Sequence, residues 1–312
     1  MGTAARARLL DGRVCMVTGA TSGIGAVTAR ALARLGADVV VVGRDRARCA
    51  RQVERIRREG GRAEALVADL SSRASVRALA DAFGRRHDRL DVLVNNAGAY
   101  FARRQESADG LEMTFALNHL GAFQLTLLLL ERLAASPSAR VVVVSSVAHE
   151  GRRLDLDDLQ GERGWDRLEA YGRSKLANLL FTYELARRLA GTRVTANALH
   201  PGSVATRLGS DRGWLRVKVR NLVRRGLLDP EQGARTTIHV ASAPELEGVS
   251  GRYFQDCREA RSSEASHDRE AAARLWAVSE HLTGARLAPE WMLPRRPGTA
   301  TFSAARGTSS RE

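Results

Sequence analysis

Short, valine-rich apolar runs recur along the chain, and a stretch of helical periodicity follows most of them. Runs of this length, bounded by glycine or polar residues, are typical of strands buried on both faces of a parallel sheet. The predicted strands are 14–17, 38–43, 63–68, 91–94, 140–144, 193–199 and 251–254. The alternation predicts an α/β fold: a single-domain, Rossmann-type, doubly wound parallel sheet of about seven strands with helices on both faces.

The helical segments alternate with these strands without a repeat or an interdomain linker. The first helix, after the glycine turn, is predicted to end near Leu35. The others are predicted over 45–59, 73–86, 110–134, about 171–189, 230–243 and 268–282. One domain over 1–293 is therefore predicted, with a disordered polar tail over 294–312. Residues 147–168 are predicted to be an irregular insertion. Residues 203–228, where apolar side chains such as Trp214 alternate with arginines, are predicted to form a mobile, partly helical lid.

The first strand opens into a glycine turn, Thr18-Gly-Ala-Thr-Ser-Gly-Ile-Gly25, that leads into a helix. Such an arrangement binds phosphate, because glycines let the backbone approach a pyrophosphate and the helix N-terminus faces its charge. The spacing of Gly19, Gly23 and Gly25 is G-x-x-x-G-x-G rather than the general G-x-G-x-x-G. Its place between a strand and a helix, more than the glycines themselves, predicts a dinucleotide site.

The end of the second strand bears on which dinucleotide is bound. An acid at this position typically takes the ribose 2′-OH, whereas an arginine accommodates a 2′-phosphate. Here the strand ends in Gly43 and Arg44, which favours NADP over NAD. Two alternatives stay open: Arg44 is one more solvated arginine in an arginine-rich chain, or Asp45 reaches a ribose hydroxyl.

Small and polar residues follow three further strands. Asp69 could receive the adenine amino group or could cap the next helix through Ser71 or Ser72. The sequence Asn95-Asn-Ala-Gly98 would suit a cofactor wall, because bulk would block the ring, although an ordinary asparagine turn has the same composition. Ser145 and Ser146 end the fifth strand, at the edge where doubly wound sheets bind ligands. Asn118, inside a predicted helix, needs a polar partner there.

Tyr171 and Lys175 stand four residues apart, so they share one face of a helix. A nearby ammonium favours the phenolate and would lower the tyrosine pKa from about 10, which makes the pair a candidate proton donor or acceptor. The chain holds 49 lysines plus arginines, yet lysine occurs only at Lys175 and Lys218. A lysine can reach a ribose hydroxyl where the broad arginine fork would not substitute simply. The alternative is a chance spacing, with a half-buried tyrosine beside a solvated lysine.

Composition and charge narrow the functional classes. The formal net charge of +14 and the pI of about 11.0 would suit nucleic acid or an anionic membrane surface. The arginines are scattered, however, and aromatic residues make up only 5% of the chain, so no stacking platform for bases is indicated and no specific nucleic acid is expected. Cys15, Cys49 and Cys257 are widely spaced and the histidines form no H-x-x-x-H pair, so neither disulfides nor a metal site is expected.

Targeting segments are not evident in the sequence. The N-terminal residues contain no apolar core of signal-peptide length, and the longest apolar run, around Leu127–Leu130, is far shorter than a membrane span. A soluble, cytoplasmic protein is therefore expected, and a homo-oligomer is left open.

Six motifs occur in a fixed order: TGATSGIG, NNAG, an asparagine in the next long helix, SS after the fifth strand, YGRSK and HPG. With them the chain resembles the short-chain dehydrogenase/reductase family over about residues 10–285. Finer features resemble its retinol-dehydrogenase-like branch, and so does the long gap between Ser146 and Tyr171. These features are Gly43-Arg-Asp45, Leu117-Asn-His-Leu-Gly121, Ser145-Ser-Val-Ala-His149, Asp158-Leu-Gln160 and Lys175-Leu-Ala-Asn-Leu179.

The resemblance implies a role for each matching position. Tyr171 would be the acid/base, and Lys175 its activator and ribose anchor. Ser146 would orient the carbonyl, and Asn118 would hold a water in a proton relay. The implied cofactor-binding positions are Gly19, Thr21, Ser22, Gly23, Ile24, Gly25, Arg44, Asp69, Leu70, Ala97, Gly98, Tyr171 and Lys175, with Asn95 on the adenosine side and Pro201 and Gly202 on the nicotinamide side.

The resemblance thus implies an NADP-dependent oxidoreductase that transfers a hydride between the nicotinamide and a carbonyl or alcohol. The apolar residues of 203–228 favour a large apolar substrate, and its cations could meet a membrane surface. Two departures matter: the N-terminal hydrophobic anchor of membrane-bound relatives is not seen here, and the lid is unusually basic. The alternatives are a non-catalytic NADP-binding regulator and a basic protein that binds anionic lipid or nucleic acid on the same fold.

Overall fold

Eight strands form one sheet in the computed structural model, which describes residues 8–202, 229–288 and Trp291. The strands are β1 (Val14–Thr18), β2 (Asp38–Gly43), β3 (Arg62–Val67), β4 (Val92–Asn95), β5 (Ala139–Val144), β6 (Val194–His200), β7 (Tyr253–Gln255) and β8 (Arg258–Glu259). Their spatial order is β3-β2-β1-β4-β5-β6-β7-β8, and all neighbours are parallel except β7 and β8. The doubly wound sheet predicted from the sequence is confirmed, with one strand more than the seven expected.

The extra strand, β8, pairs antiparallel with β7 after a tight turn at the sheet edge. Asp256 and Cys257 adopt φ values of 50° and 59° in this turn, which is the left-handed region that glycine and asparagine normally fill. The sequence carries no Asn-Gly or Asp-Gly pair there, so the hairpin had no recognisable turn signal.

Nine α-helical segments occur in the described ranges, and their bounds lie close to the predicted ones except in the helix predicted over 110–134. They are α1 (Gly23–Arg34), α2 (Arg46–Arg58), α3 (Arg73–Gly84), α4 (Met113–Phe115), α5 (Gly121–Leu128), α6 (Leu130–Ala134), α7 (Arg167–Arg188), α8 (Pro230–Ser242) and α9 (Arg269–Thr283). Side chains set several of the starts: Ser72 caps α3, Asp166 caps α7, and Asp229 forms a capping box with Gln232 at α8.

The helices cover both faces of the sheet. Val39 and Val41 of β2 point into one apolar cluster with α1, α2 and α8, whereas Val40 and Val42 point into the other with α3, α5 and α7. This alternation follows from the two-residue period of a strand, and it explains why β2 carries four consecutive valines. Trp276 of α9 closes the second cluster and lies beneath the guanidinium of Arg188, 4.4 Å from its ring centroid.

The strand order reverses direction between β1 and β4, and the two carboxyl ends there frame a crevice. In an open α/β sheet this switch point is where ligands bind. The ends of β5 and β6 lie beside it on the same edge, since each parallel strand runs the same way. The predicted glycine turn, Asn95-Asn-Ala-Gly98 and Ser145-Ser146 therefore share one edge of the sheet.

The single long helix predicted over 110–134 is interrupted. A π-helical turn, Ala116–Leu120, joins α4 to α5, and a break at Leu129 separates α5 from α6. The buried carboxylate of Glu112 starts this element by accepting hydrogen bonds from the main-chain N–H groups of Thr114 (3.0 Å) and Phe115 (2.7 Å). The π turn carries Asn118, and such turns frequently occur at functional sites.

The predicted insertion after β5 is irregular, as expected, apart from one 3₁₀ turn at Val147–His149. It is nevertheless tied to the loop before α4. The Glu112 N–H donates to Gln160 Oε1 (2.7 Å), and Trp165 Nε1 donates to Glu112 Oε1 (3.2 Å). The predicted lid at 203–228 and the tail at 294–312 lie outside the described residues.

Gly121 brings α5 unusually close to the chain after β3. A Cβ atom at this position would lie 2.2 Å from the carbonyl oxygen of Leu70, a backbone atom that cannot swing away. The glycine of the sequence Leu117-Asn-His-Leu-Gly121 is therefore required by packing, and it sets the distance between the π turn and Leu70.

Gly121→Ala is expected to lower the free energy of unfolding by about 1–3 kcal/mol or more, as overpacking does in other cores. Urea denaturation measures the change. Gly84→Ala, at the end of α3, is the matched control because its new methyl would meet only the Arg132 guanidinium at 3.5 Å. That control should match or slightly exceed the wild-type stability, since alanine favours the helix by up to about 1 kcal/mol over glycine. Equal stabilities for the two variants would contradict this account of Gly121.

Candidate active site

The glycine turn after β1 is held from across the crevice by the residues that follow β4. Asn96 Nδ2 donates to the carbonyl of Thr18 (2.8 Å), and Thr18 Oγ1 accepts from the N–H groups of Asn96 and Ala97 (3.0 Å each). A Cβ on Gly25 would lie 2.4 Å from Asn96 Nδ2 and 2.5 Å from the carbonyl oxygen of Gly19. Gly19 itself has a φ of 65°. The turn therefore needs glycine at both positions to fold back against β4.

The turn presents the uncapped start of α1. Ser22 occupies the N-cap with an extended backbone, but its side chain makes no capping hydrogen bond. The N–H groups of a first helical turn lack partners within the helix, so they are available to an anion there. Thr21, one residue earlier, packs against the end of β2, where a Cβ on Gly43 would lie 2.6 Å from its methyl group. The turn is thus placed directly beside Arg44.

The side chains at the end of β2 divide their roles. Arg44 is exposed and makes no hydrogen bond or ion pair with another described residue. Asp45 is the N-cap of α2, where its carboxylate accepts from the N–H of Arg48 (3.0 Å) and pairs with the Arg48 guanidinium (3.3 Å). The bond from the Arg48 N–H holds the pKa of Asp45 below its ordinary value. Asp45 is therefore engaged in starting the helix, while Arg44 remains free for a ligand.

Asp69 is exposed at the end of β3 and does not cap α3 itself. Its carboxylate accepts from the N–H (2.9 Å) and hydroxyl (2.7 Å) of Ser71, and its own N–H donates to Ser75 Oγ (2.9 Å). The helix is thus capped by Ser72, while the Asp69 carboxylate forms a local turn with Ser71, and a contact between Asp69 and the adenine amino group stays a prediction.

Ser146 and Tyr171 meet at the carboxyl end of β5. The side chain of Ser146 lies close enough to the Tyr171 hydroxyl to favour the phenolate, and its Oγ accepts from the N–H of Ala148 (3.2 Å). Ser145, which precedes it, instead points inward, and its hydroxyl donates to the carbonyl of Lys175 (2.8 Å). Successive strand residues face opposite sides, so one serine of the pair holds α7 against the sheet while the other faces Tyr171.

Lys175 is buried one turn along α7, on the same face as Tyr171. Its Nζ lies 5.5 Å from the centroid of the Tyr171 ring and donates to the carbonyl of Val144 (3.0 Å). No second partner for this ammonium occurs among the described residues. An ammonium has three donors, so two remain for a ligand. A Cβ on Gly98 would come within 3.3 Å of Nζ, so the missing side chain there keeps the ammonium accessible.

Burial controls the protonation of both groups. It raises the pKa of Tyr171 to about 12, an effect that the hydrogen bond from Ser146 only partly offsets. It lowers the pKa of Lys175 to about 8. The net decrease in the tyrosine pKa expected from the sequence is therefore wrong for this structure, because desolvation of the phenolate dominates; a separate effect of Lys175 on that pKa stays a prediction. Tyr171 is a protonated phenol at neutral pH, and Lys175 is mostly an ammonium.

Asn118 fulfils the expectation that a buried asparagine inside a helix needs polar partners. Its Nδ2 donates to the carbonyl of Ala99 and to Ser174 Oγ (2.9 Å each), and its Oδ1 accepts from the N–H of Ala99 (2.8 Å). Ser174 Oγ in turn donates to the carbonyl of Tyr171 (2.7 Å). Asn118 thus fastens the segment after β4 to the helix that carries Tyr171.

The remaining predicted positions lie along the same edge but differ in what they present. The Asn95 side chain is buried: its Nδ2 donates to Thr126 Oγ1 (2.9 Å), while its Oδ1 has no hydrogen-bond partner among the described residues. Ile24 and Leu70 are buried as well. Pro201 and Gly202 follow the end of β6, and Gly202 has a φ of 85°, which glycine tolerates readily.

These residues fit a bound dinucleotide. A chain of contacts runs from Arg44 past Thr21 and the glycine turn, through Asn96, to the ammonium of Lys175. Four features of the protein would suit a dinucleotide: a free arginine, an uncapped helix start, positions without a side chain at Gly19, Gly25 and Gly98, and a lysine with spare donors.

The comparisons with known proteins decide the family. A model for the short chain dehydrogenase family matches residues 13–213, which is most of the chain. The chain belongs to the short-chain dehydrogenase family. Curated relatives include retinol dehydrogenase 14 from Homo sapiens, 45% identical over 294 residues that cover 88% of both proteins, and polyprenol dehydrogenase from Mus musculus, 47% identical over 283 residues that cover 88% of this chain and 84% of the relative. The predicted retinol-dehydrogenase-like branch is confirmed.

Solved structures of similar proteins show the same fold. A protein from Mycobacterium paratuberculosis superimposes with a TM-score of 0.74 at 37% identity, over 89% of this chain and 96% of that protein. RhlG from Pseudomonas aeruginosa, solved as an active-site complex with NADP, gives a TM-score of 0.64 at 29% identity, over 80% of this chain and 96% of that one. Among the residues described, no helix is long and apolar enough to cross a membrane, and no group of three or more histidines, cysteines or acids could hold a metal ion.

Several residues of this short-chain dehydrogenase site were not predicted to have a role. Asn96, rather than the Asn95 side chain, ties β4 to the glycine turn. Tyr100 lies edge-on to Tyr171, with 6.2 Å between ring centroids. His149 is buried against the carbonyl of Ser146. The Asn-Asn doublet and the His after Ser-Ser-Val-Ala were visible signals, but the sequence does not say which neighbour each side chain meets.

The lowered pKa of Lys175 can be tested directly, because the chain has only two lysines. Lysine labelled with ¹³C at Cε should give two signals, and the Lys218→Arg variant assigns the remaining one to Lys175. That signal is expected to titrate near pH 8, well below the ordinary value of 10.5. Since the folded pKa lies below the unfolded one, Lys175 disfavours the fold fully below about pH 8, and this penalty disappears as the pH rises toward 10.5. Titration near 10.5 would show that the ammonium is solvated.

Proposed function

We propose that the protein is an NADP-dependent oxidoreductase that transfers a hydride between the nicotinamide and a carbonyl or alcohol carbon, with Tyr171 as the acid/base. The observation that carries the proposal is the contact between the Tyr171 hydroxyl and Ser146, with Lys175 Nζ beside the tyrosine ring, at the sheet edge that also holds the glycine turn. A bound nicotinamide supplies or accepts the hydride, and the protein supplies the proton and the orientation.

In the reducing direction Tyr171 acts as a general acid. Its pKa of about 12 keeps the phenol protonated at neutral pH. An alkoxide is far more basic than a phenolate, so proton transfer from Tyr171 to the new alkoxide is downhill. Ser146, whose side chain lies beside the phenol, can donate to the same oxygen. The two hydroxyls thereby combine proton donation with stabilisation of the developing charge.

Lys175 and Asn118 complete the proposed set. The two free donors of Lys175 would bind ribose hydroxyls, which anchors the nicotinamide end and replenishes the proton of Tyr171. Both amide hydrogens of Asn118 are engaged, by Ala99 and Ser174. A relay water would therefore have to be held by an oxygen of Asn118 rather than by its amide nitrogen.

The preference for NADP is supported by the end of β2. Arg44 is free to pair with a 2′-phosphate, whereas Asp45, the residue that would bind a 2′-OH of NAD, is occupied as the cap of α2. RhlG, at 29% identity, is described as a complex with NADP, which agrees with this choice. Among the remaining cofactor positions, the glycines would act through their main chains.

A large apolar alcohol, aldehyde or ketone is the proposed substrate class. The support comes from relatives named for retinol and for polyprenol, two apolar alcohols. The matches to this chain cover 88% and 84% of the lengths of these relatives. We propose a cytoplasmic location, with membrane contact by 203–228 as an open part of the proposal.

The deciding experiment is a fluorescence titration with NADPH and NADH, followed by turnover of NADPH with a panel of long apolar and short polar aldehydes and ketones. We expect tighter binding of NADPH and higher kcat/KM for the long apolar compounds. Binding of NADPH without turnover of any compound would favour the regulatory alternative, and absence of binding would reject the proposed function.

A further inference from the structure

His149 is a buried side chain that lies next to the proposed catalytic hydroxyl without touching the reacting atoms. We propose that His149 is a positioning residue that fixes Ser146 by binding its main-chain carbonyl. The inference rests on the proposed function of Ser146 and adds to it a residue whose role the sequence did not show.

Two hydrogen bonds define the state of the His149 ring. Its Nδ1 lies 2.6 Å from the carbonyl oxygen of Ser146, and its Nε2 lies 3.0 Å from the main-chain nitrogen of Ser263. A main-chain N–H can only donate, so Nε2 is the acceptor and carries no proton. The proton of the neutral ring is therefore on Nδ1, where it donates to Ser146. The two bonds select one tautomer and one ring orientation.

The sheet ends just before Ser146, so the carbonyl of this residue is bonded within the turn that follows. The N–H of Ser145 donates to the carbonyl of Leu199 (2.8 Å), and the chain then enters the single 3₁₀ turn Val147–His149. The main-chain N–H of His149 donates to the Ser146 carbonyl at 3.1 Å, and the N–H of Val147 lies 3.4 Å from His200 Nδ1. The side-chain bond from His149, at 2.6 Å, is the shorter of the two bonds to this carbonyl, and it holds the peptide group that joins Ser146 to Val147.

The surroundings keep His149 neutral. The ring is fully buried, with the Tyr253 ring edge-on at 5.6 Å between centroids. Burial lowers the pKa of His149, an effect that its bond to Ser146 and the nearby charge of Glu150 only partly oppose. A proton on Nε2 would also point at the N–H of Ser263, donor against donor. The donor to Ser146 is therefore present throughout the neutral range.

Two amide substitutions separate the two bonds. In His149→Asn the amide nitrogen takes the place of Nδ1, so the donor to Ser146 is kept and the contact with Ser263 is lost. In His149→Gln the side-chain amide takes the place of Nε2. An acceptor for the N–H of Ser263 is kept, and the side-chain donor to the carbonyl of Ser146 is lost. We expect kcat to stay within about threefold of wild type in the Asn variant and to fall about tenfold or more in the Gln variant, since small displacements of a reacting group cost that much.

Readouts other than rate distinguish positioning from general damage. The Kd of NADPH should be unchanged in both variants, and their melting temperatures should fall by similar amounts. In a Ser146→Ala background the Gln substitution should have almost no further effect on kcat, because the hydroxyl that it displaces is already missing. A drop in kcat of equal size in both variants, or an undiminished effect in the Ser146→Ala background, would overturn the role of His149.

The test remains decisive if a variant does not fold. Nitrogen-15 NMR of the wild-type histidines, with His149 assigned by its loss in the Asn variant or by through-bond connection to its backbone, should show a neutral ring protonated at Nδ1 near pH 7. A ring protonated at Nε2, or a charged ring, overturns the inference. Failure of the wild type to turn over any substrate instead counts against the proposed function, so the two outcomes are distinguishable.

Discussion

Replacing Tyr171 with phenylalanine is expected to lower turnover by about 10²- to 10⁴-fold, the range that general acid–base catalysis commonly supplies. The phenylalanine keeps the ring, and with it the edge-on contact to Tyr100, but removes the hydroxyl that lies beside Ser146. Binding of NADPH should persist, because the glycine turn and Lys175 are untouched. Stopped-flow or steady-state turnover of NADPH with the best carbonyl compound measures the first effect, and fluorescence titration measures the second.

Tyr183→Phe is the matched control for this variant. Tyr183 lies on the same helix, is buried, and also loses a bonded hydroxyl, since its OH is 2.7 Å from Ser262 Oγ. It should lose stability by about 1 kcal/mol and keep its turnover within about threefold. Near wild-type turnover in Tyr171→Phe would reject Tyr171 as the acid, and a comparable loss in both variants would point to a packing defect in α7.

Arg44→Ala is expected to weaken NADPH binding by about 10- to 100-fold and to leave NADH binding nearly unchanged. A hydrogen bond to a charged group is worth about 1.5–3 kcal/mol, and only NADPH carries the 2′-phosphate that Arg44 would bind. Parallel fluorescence titrations with the two dinucleotides give the ratio. At high salt the wild type should lose part of its preference for NADPH, since an exposed ion pair is screened. The effect of the substitution on NADPH binding should therefore shrink as well.

Arg58→Ala controls for the loss of one positive charge. Arg58 lies at the far end of α2, is highly exposed, and pairs with Glu54 one turn away. Its substitution should change the Kd of neither dinucleotide by more than about twofold, as a surface pair contributes little. An equal loss of NADPH and NADH affinity in Arg44→Ala would make Arg44 a structural residue and would remove the main support for NADP.

The parts of the fold and site that the sequence predicted well are those that depend on local pattern. The strand–glycine–helix element at Thr18 to Gly25 could be placed because its spacing, its apolar strand and its helix are all contiguous. The shared face of Tyr171 and Lys175 follows from helix geometry alone. Their protonation could not be predicted in the same way, because burial depends on which elements cover α7, and that depends on the whole fold.

Side-chain direction and long-range partners account for most of what the sequence did not show. Adjacent residues of a strand point to opposite faces, so Asn95 and Asn96 differ in role although they are the same amino acid. The partner of His149 is Ser263, which is 114 residues away. No local periodicity carries that information. Only the complete fold places the segment after β5 beside the segment between β8 and α9, and so brings the two residues together.

The π-helical turn at Ala116–Leu120 makes the number of residues in this helix as important as their identity. A π turn accommodates one residue more than a regular turn, so the positions before and after it are out of phase by about 100°. Asn118 can therefore face Ala99 and Ser174 while Gly121, three residues later, faces Leu70. Deleting one residue here would restore an unbroken α-helical frame and swing one of these contacts off its partner. Among active homologues, insertions and deletions in this stretch should be much rarer than substitutions at its exposed positions.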